Sequence, residues 1–391
     1  MPENWKTYKL SEVAAISNGK SKPNETGEVP IYGGNGILGY TNQFNSVDTI
    51  IIIGRVGAYC GSVYFENRPI WLSDNAMKAV CLEGFDSKFL FYLLKKTNLN
   101  QFAGGSSQPL LTQSTLNEVN LNFPEIEEQK AIASILSALD DKIELNLQQN
   151  KTLEEMAMTL YKHWFVDFGP FQDSEFVESE LGMIPKDWEV KNLSEISTEL
   201  RRGVSPKYIE EKGVRVINQK CIRNHLIDFS LTRRHDSISK SVEGRLLRVG
   251  DVLVNSTGVG TLGRLAPILS LDEDTVVDSH VTVVRCDLEK LRLYTFGRLM
   301  ISIEKIVESL GEGSTGQTEL SRIALGEIKV IVAPLTIQDK IEDQLQRFAN
   351  KVDANILENQ ALTTLRDTLL PKLISGEIRV KDAEKLIHES I

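Results

Sequence analysis

Apolar residues recur in steps of three and four from Glu127 to about Phe165. Ile132, Leu136, Leu139, Ile143, Leu153, Ala157, Leu160 and Trp164 carry the rhythm, and Asn146 and Asn150 fill its middle. That spacing predicts one long helix with an a/d seam. Such a helix is about 60 Å long, too long to bury inside one small domain. The pattern returns 209 residues later, where Gln129 falls on Gln338, Leu136 on Leu345, Ile143 on Val352, Leu153 on Leu362 and Leu160 on Leu369. The polar breaks coincide too, Asn146 with Asn355 and Asn150 with Asn359. One heptad run alone reads as a bundle helix. Two copies with the same breaks favour a coiled coil within the chain.

A second repeat lies nearer the start. Pro2-x-x-Trp5 and Leu10-Ser11-Glu12-Val13 return as Pro185-x-x-Trp188 and Leu193-Ser194-Glu195-Ile196, a shift of 183. The shift grows by 26 between the two ends, so the second copy is the longer one. The expected partition is a globular segment (1–124), a helix (125–168), a polar connector (169–184), a second globular segment (185–334), a second helix (335–376) and a tail (377–391).

Glycine punctuates the first globular segment. Tyr32-Gly33-Gly34-Asn35-Gly36 reads as a tight loop, and the β-branched run Thr49–Ile53 as a buried strand before the turn Gly54–Gly61. Trp71–Leu82 and Leu116–Phe123 read as strands, and Phe89–Lys96 as a short helix. The second segment follows suit, with strands at Asp251–Asn255, Thr275–Cys286 and Glu327–Ala333 and a helix at Tyr294–Ser309. Thr336-x-x-Asp339 resembles a capping box, and Pro371 is expected to end or kink the second long helix.

Composition narrows the classes. With 391 residues and 41% hydrophobic, the chain has room for two or three ordinary soluble cores. No apolar run reaches eighteen residues and the N-terminus has no apolar h-region, which points to the cytoplasm. Cys60, Cys81, Cys221 and Cys286 are widely scattered, as reduced thiols would be. The net charge of −10 is unevenly placed. From Glu125 to Glu180 thirteen acids oppose four lysines, a local −9; from Arg201 to Arg248 twelve bases oppose five acids, a local +7. The basic stretch fits a phosphate-facing surface or a solvated face, and charge alone does not choose.

Catalytic motifs fail on inspection. Gly258-x-Gly260-x-x-Gly263 has the letters of a dinucleotide fingerprint, but Pro267 blocks the helix it needs, so a strand-to-strand turn is expected. Glu189-x-Lys191 and Glu327-x-Lys329 lack the aspartate of a nuclease site. The five histidines have no zinc-ligand spacing. What remains is a duplicated set of polar and aromatic residues on or beside glycine turns. In the first segment these are Tyr32, Asn35, Arg55, Tyr59, Asn75, Lys78 and the loop residues Ser106, Ser107 and Gln108. In the second they are Arg201, Arg202, Lys207, Asn218, Gln219, Lys220, Arg223, Arg233, Arg234, Ser256, Thr257, Arg264, His280 and the loop residues Ser314, Thr315 and Gln317. Each one alone reads as a turn stabiliser. As a set they are the side chains that read base edges and hold phosphates.

These motifs in this order resemble the specificity subunit of type I restriction–modification systems. The resemblance rests on Trp5…Leu10-Ser11-Glu12, Tyr32-Gly33-Gly34-Asn35-Gly36, Gly54-Arg55-Val56-Gly57, Gly105-Ser106-Ser107-Gln108 and Glu128-Gln129-Lys130-x-Ile132. In the second half it rests on Gly250-Asp251-Val252-Leu253, Gly260-Thr261-Leu262-Gly263-Arg264, Gln338-x-Lys340-Ile341 and Leu369–Val380. The second copy departs from the first in lacking a Glu before Gln338.

The resemblance implies an α+β chain: two α/β target-recognition domains joined by two long antiparallel helices in a coiled coil, with an internal pseudo-twofold repeat. It implies a non-catalytic subunit that reads a split site in double-stranded DNA. Two modification (methyltransferase) subunits and restriction/translocase subunits are the expected partners, bringing S-adenosylmethionine, ATP and Mg. Asn146, Asn150, Asn355 and Asn359 are expected near the helix crossing, fixing register. The competing readings are a coiled-coil adaptor with two protein- or ligand-binding heads, and a divergent methyltransferase or nuclease.

Overall fold

The computed structural model describes residues 4–105, 108–258, 260–312 and 319–390. They form two compact units, residues 1–145 with 358–391, and residues 146–357. The long helices span Ile126–Phe165 and Leu335–Ser375, close to the bounds the heptads predict. Each unit holds half of each helix, so compaction cuts across the partition into heads and spacers.

Within the first unit the helices run antiparallel. Asn359 Nδ2 donates to the Ile143 carbonyl at 3.3 Å, and Arg366 to Asp140 at 2.7 Å. The second unit repeats the arrangement around Asn355, whose Nδ2 donates to Asn150 Oδ1 at 2.8 Å. Ile132, Leu136 and Leu139 are buried with Leu362 and Leu369 in one unit, and Ile341, Leu345 and Val352 in the other. Past Asn150 the seam drifts. Ala157, Tyr161 and Phe165 are buried there, while Leu160 and Trp164 are only half-buried. A straight helix rotates against a heptad repeat, and this half also packs on its own head, where Arg298 pairs with Glu154.

Each head is built on two sheets; the larger has the same order in both, and the smaller gains an outer strand, Tyr208–Ile209, in the second unit. The larger antiparallel sheet runs Ala14–Asn18, Ala76–Cys81, Ile50–Gly54, Val63–Glu66 in the first unit. In the second it runs Ser197–Arg202, Val281–Cys286, Val252–Asn255, Leu265–Pro267. In each smaller sheet a central strand, Val29–Gly33 or Val214–Ile217, has a parallel neighbour on one side, Trp71–Leu72 or Thr275–Val277. Its antiparallel neighbour on the other side is Gly36–Thr41 or Arg233–His235. The continuous strands expected over Trp71–Leu82 and Thr275–Cys286 are therefore each split in two. Polar turns at residues 73–75 and 278–280 carry the chain from the smaller sheet to the larger.

Where the chain crosses between sheets, a side chain does not fit. A Cβ on Gly19 would lie 2.0 Å from the Ser73 carbonyl oxygen, and one on Gly203 2.1 Å from that of Val277. The repeated Leu-Ser-Glu motif closes a turn beside it. Glu12 accepts from the Lys9 N–H at 2.6 Å and Glu195 from the Asn192 N–H at 2.7 Å. Trp5 and Trp188 are buried in their respective cores. Burial pushes the Cys81 and Cys221 thiols up to about 11 and that of Cys286 to about 12.

Several expectations need correcting. Leu116–Phe123 is a helical turn, Gln113–Asn117, followed by the strand Asn120–Phe123. The helix expected over Tyr294–Ser309 is two, Leu293–Ser302 and Glu304–Ser309, broken at Ile303. The connector holds a hairpin, Phe176–Ser179 with Gly182–Pro185, and Phe168 and Phe171 stack edge-on against Trp188. Pro371 does not end its helix. It removes one N–H in the last turns, while buried Leu369, Leu373 and Ile374 hold the segment in place. The expected tail is largely the helix Val380–Ser390, docked through buried Ala383 and an Arg379–Glu128 ion pair. Position 337, which lacks that Glu in the second copy, packs as Ile337 against the second core. Asp339 turns away from the helix start to Arg292, Nε to Oδ1 at 2.5 Å.

Candidate nucleic-acid interface

The residues that converge do so at one pole of each unit, beyond the end of an inner strand of the larger sheet, Ile50–Gly54 or Val252–Asn255. In the first unit that strand ends at Gly54, and the Arg55 N–H donates to the Asn75 carbonyl at 2.9 Å. The Arg55 carbonyl in turn accepts from the Leu111 N–H at 2.9 Å. The glycine-rich loop is thereby tied to the same spot, its base closed by paired bonds between Gly104 and Leu110 and by Gly57 N–H to the Pro109 carbonyl. The hairpin tip arrives from the smaller sheet, where Ser62 Oγ donates to the Gly34 carbonyl. Asn35, Tyr59, Asn75 and Gln108 are all exposed there. Arg55 Nη1 reaches the Asp74 carbonyl at 3.5 Å, while its buried Nε has no partner among the described residues.

The second unit repeats this skeleton with other side chains. The Ser256 N–H donates to the His280 carbonyl and its carbonyl accepts from the Leu320 N–H, both at 2.8 Å. Ser256 and His280 thus occupy the places of Arg55 and Asn75. Thr257 Oγ1 donates to Gln219 Oε1 at 3.1 Å and lies 2.9 Å from His280 Nδ1. With its one hydroxyl proton committed to Gln219, Thr257 accepts from Nδ1–H. The His280 ring itself is exposed. Asn255 Nδ2 donates to the Gln219 carbonyl at 3.0 Å, and its buried Oδ1 has no partner among the described residues. Asn218 caps the turn that carries exposed Lys220, accepting from the Lys220 N–H at 2.9 Å. Arg202 joins the group through Leu320 and Ser279 carbonyls and Glu319.

The model of the type I restriction modification DNA specificity domain matches residues 2–155 and again residues 185–364, one match per repeat. The chain belongs to that family. It is 28% identical over 98% of its length to the type I restriction enzyme MjaIX specificity subunit of Methanocaldococcus jannaschii, covering 95% of that protein. It is also 23% identical to the HindI specificity subunit of Haemophilus influenzae, over 74% of this chain and 77% of the relative. A crystal structure of a type I restriction–modification S subunit from M. genitalium has the same fold, with a TM-score of 0.66 at 19% identity over 95% of this chain and 96% of that one.

Family membership does not make every expected residue a reader. Tyr32 is buried, its hydroxyl 3.0 Å from Glu66, and burial with that carboxylate raises its pKa. Lys78 is half-buried and donates to Ser46 Oγ at 3.2 Å. Ser256 is fully buried, with its hydroxyl 2.7 Å from Thr282 Oγ1. These three hold the pole rather than present themselves at it. Lys207 is spent on Asp236 and Ser239, and Arg201 on Glu199 and the Arg245 carbonyl. Arg264 is half-buried next to the Glu304 carboxylate field. Ser106, Ser107, Ser314, Thr315 and Gln317 lie outside the described residues.

The +7 stretch is less basic in space than in sequence. Glu199, Asp272, Glu273 and Glu319 lie outside it, yet they pair with Arg201, Arg215, Arg234 and Arg202. Exposed cations that form no ion pair among the described residues include Lys220, Arg223 and Arg233, the last stacked 3.9 Å over the Tyr208 ring. Sequence reasoning missed the crossing glycines, Gly19 and Gly203, which fall one residue out of register in the repeat because the second copy carries a bulge between Ser197 and Glu199. It also gave no role to Asp278. Burial raises the pKa of this carboxyl, against a bond from the His280 N–H at 2.9 Å. Among the described residues no helix is long and apolar enough to cross a membrane, and no cluster of His, Cys, Asp or Glu has metal-site geometry.

Proposed function

We propose that the chain is the DNA-reading specificity subunit of a type I restriction–modification complex, each unit's pole recognising one half of a split site. The duplicated pole carries this reading. The same backbone skeleton presents Arg55, Tyr59 and Asn75 in one unit and Thr257, Gln219 and His280 in the other, as two readers of different sequences require. Arg, Asn and Gln side chains pair with base edges in the major groove, and backbone N–H groups with phosphates. The two long helices, each continuous through both units, set the spacing between half-sites and dock two modification subunits. S-adenosylmethionine, ATP and Mg belong to those partners and to the restriction subunits, in the cytoplasm.

The test is a selection of random-sequence duplexes by the chain assembled with a modification subunit, repeated across salt. Two short blocks separated by a fixed unspecified spacer, bound less tightly as salt rises, are the expected outcome. No enrichment, with binding flat across salt, overturns the reading.

A further inference from the structure

One exposed surface of the first unit is unlike its counterpart in the second. The strand Gly36–Thr41 forms the outer edge of the smaller sheet, and no strand among the described residues pairs with its far side. Yet Ile37, Leu38 and Tyr40 on it are 43%, 42% and 52% exposed. An open edge bearing large apolar side chains is a liability that proteins ordinarily blunt with charge. Here the apolar face is built in. Tyr32 pairs with Ile37 and Ile31 with Gly39, so Leu38 is an extra, bulged residue, and its side chain lies against Gly33 of the neighbouring strand.

The hairpin is continuous with the pole. A Cβ on Gly34 at its tip would lie 3.5 Å from both the Asn75 carbonyl oxygen and Gly54 Cα, and 3.8 Å from Tyr59 Cβ. At the other end the Lys22 ammonium lies near Gly39, placing a cation beside the apolar stretch. In the second unit the strand in the same place, Arg233–His235, is covered on its far side by the strand Tyr208–Ile209 and carries exposed Arg233 instead. Arginine is the side chain that reads guanine, whereas apolar side chains meet the thymine C5-methyl group. A two-stranded ribbon fits the major groove, and its flanking cation suits the phosphates alongside.

We propose that the Val29–Thr41 hairpin enters the major groove of the half-site read by the first unit, where Ile37, Leu38 and Tyr40 contact thymine C5-methyl groups. This rests on the DNA-reading function above. The experiment uses the chain assembled with its modification subunit and the duplex recovered by selection. Thymines in each half-site are replaced in turn by deoxyuridine, which removes the methyl group and leaves every base-pairing atom.

Replacement in one half-site weakens binding about fourfold per methyl in contact, the worth of a buried methyl group, and replacement in the other leaves binding unchanged. The combined variant Ile37→Ser, Leu38→Ser, Tyr40→Ser binds thymine and deoxyuridine duplexes alike, while still selecting the second half-site. Equal binding of both duplexes by the unaltered chain, or half-sites without thymine, overturns the inference and leaves the split-site function standing. Failure of the unaltered assembly to bind any duplex overturns that function itself.

Discussion

Asn355 donates from Nδ2 to Asn150 Oδ1 at 2.8 Å, and both side chains are buried in the seam between the two long helices. Such a pair stabilises one register because any slip strands an amide among apolar side chains. Asn355→Leu removes the donor and leaves Asn150 short of a partner, so it costs about 1–3 kcal/mol. The double change Asn150→Leu, Asn355→Leu recovers most of that loss. Urea unfolding of the three proteins checks both statements. A double variant no more stable than the single one contradicts them.

Gln129 and Gln338 show a second matched device. Gln129 Oε1 accepts from the Asp86 N–H at 2.9 Å while its Nε2 donates to the Pro124 carbonyl at 2.9 Å. Gln338 does the same for the Arg292 N–H at 2.7 Å and the Ala333 carbonyl at 2.8 Å. Asp86 and Arg292 are the N-caps of the head helices Ser87–Lys96 and Leu293–Ser302, so each glutamine ties a head helix to the start of a long helix. Gln129→Leu strips two backbone groups of this partner and Gln338→Leu three, the Lys290 carbonyl included, and each lowers stability by about 2 kcal/mol or more. Amide exchange at residue 86 accelerates in the first variant only, and at residue 292 in the second only.

The crossing glycines give a sharper test. A Cβ on Gly19 or Gly203 meets a backbone carbonyl near 2 Å, and no rotamer relieves it because the obstacle is main chain. Gly19→Ala and Gly203→Ala each cost at least the ~1–3 kcal/mol of an overpacked core. The control is Gly104→Ala, where nothing lies within 4 Å of the added atom. A thermal shift in the control as large as at Gly19 argues against the crossing as the cause.

Acid acts on the second unit through its ion pairs. The Arg215 guanidinium holds the Asp272 carboxyl below its ordinary range, and Arg234 does the same for Glu273. A carboxyl depressed in the folded state adds stability above its unfolded pKa, which is lost as pH falls through the folded one. Urea midpoints therefore hold from pH 7 to about 5 and fall below about 4, where unfolded carboxyls take up protons. Arg215→Gln together with Arg234→Gln flattens that acid limb. An unchanged limb places its origin in other carboxylates.

The helices and the duplication were legible because each rests on a pattern local in sequence: heptads with paired asparagines, and Leu-Ser-Glu turns that close on their own backbone. The site was legible in part. Exposed Asn75, Tyr59 and His280 follow from polar residues at glycine turns, but the inward turn of Tyr32 depends on Glu66, thirty-four residues away. The charge of the basic stretch misled for the same reason. Glu199 sits just outside the stretch, two residues before Arg201, but Asp272, Glu273 and Glu319 come from strands and turns that only the fold brings alongside. Trp71–Leu82 read as one strand since alternation continues across the turn, and nothing local marks the change of sheet.

The spacing role proposed for the long helices makes the last prediction. Seven residues add two turns without rotating the seam, so a heptad inserted into each helix preserves the apolar face. The insertion belongs between Leu139 and Ile143 in the first helix and between Leu362 and Leu369 in the second, positions that lie opposite one another beside the Arg366–Asp140 pair. It lengthens each helix by about 10 Å, or roughly three base pairs of duplex. In a methylation assay of the assembled complex, the half-sites stay the same and the unspecified spacer grows by about three base pairs. An insertion of five residues instead rotates the seam by about 140°, which turns it away from its partner and costs the protein its fold. Methylation at the original spacing by a folded heptad-insertion protein removes the helices as the determinant of distance.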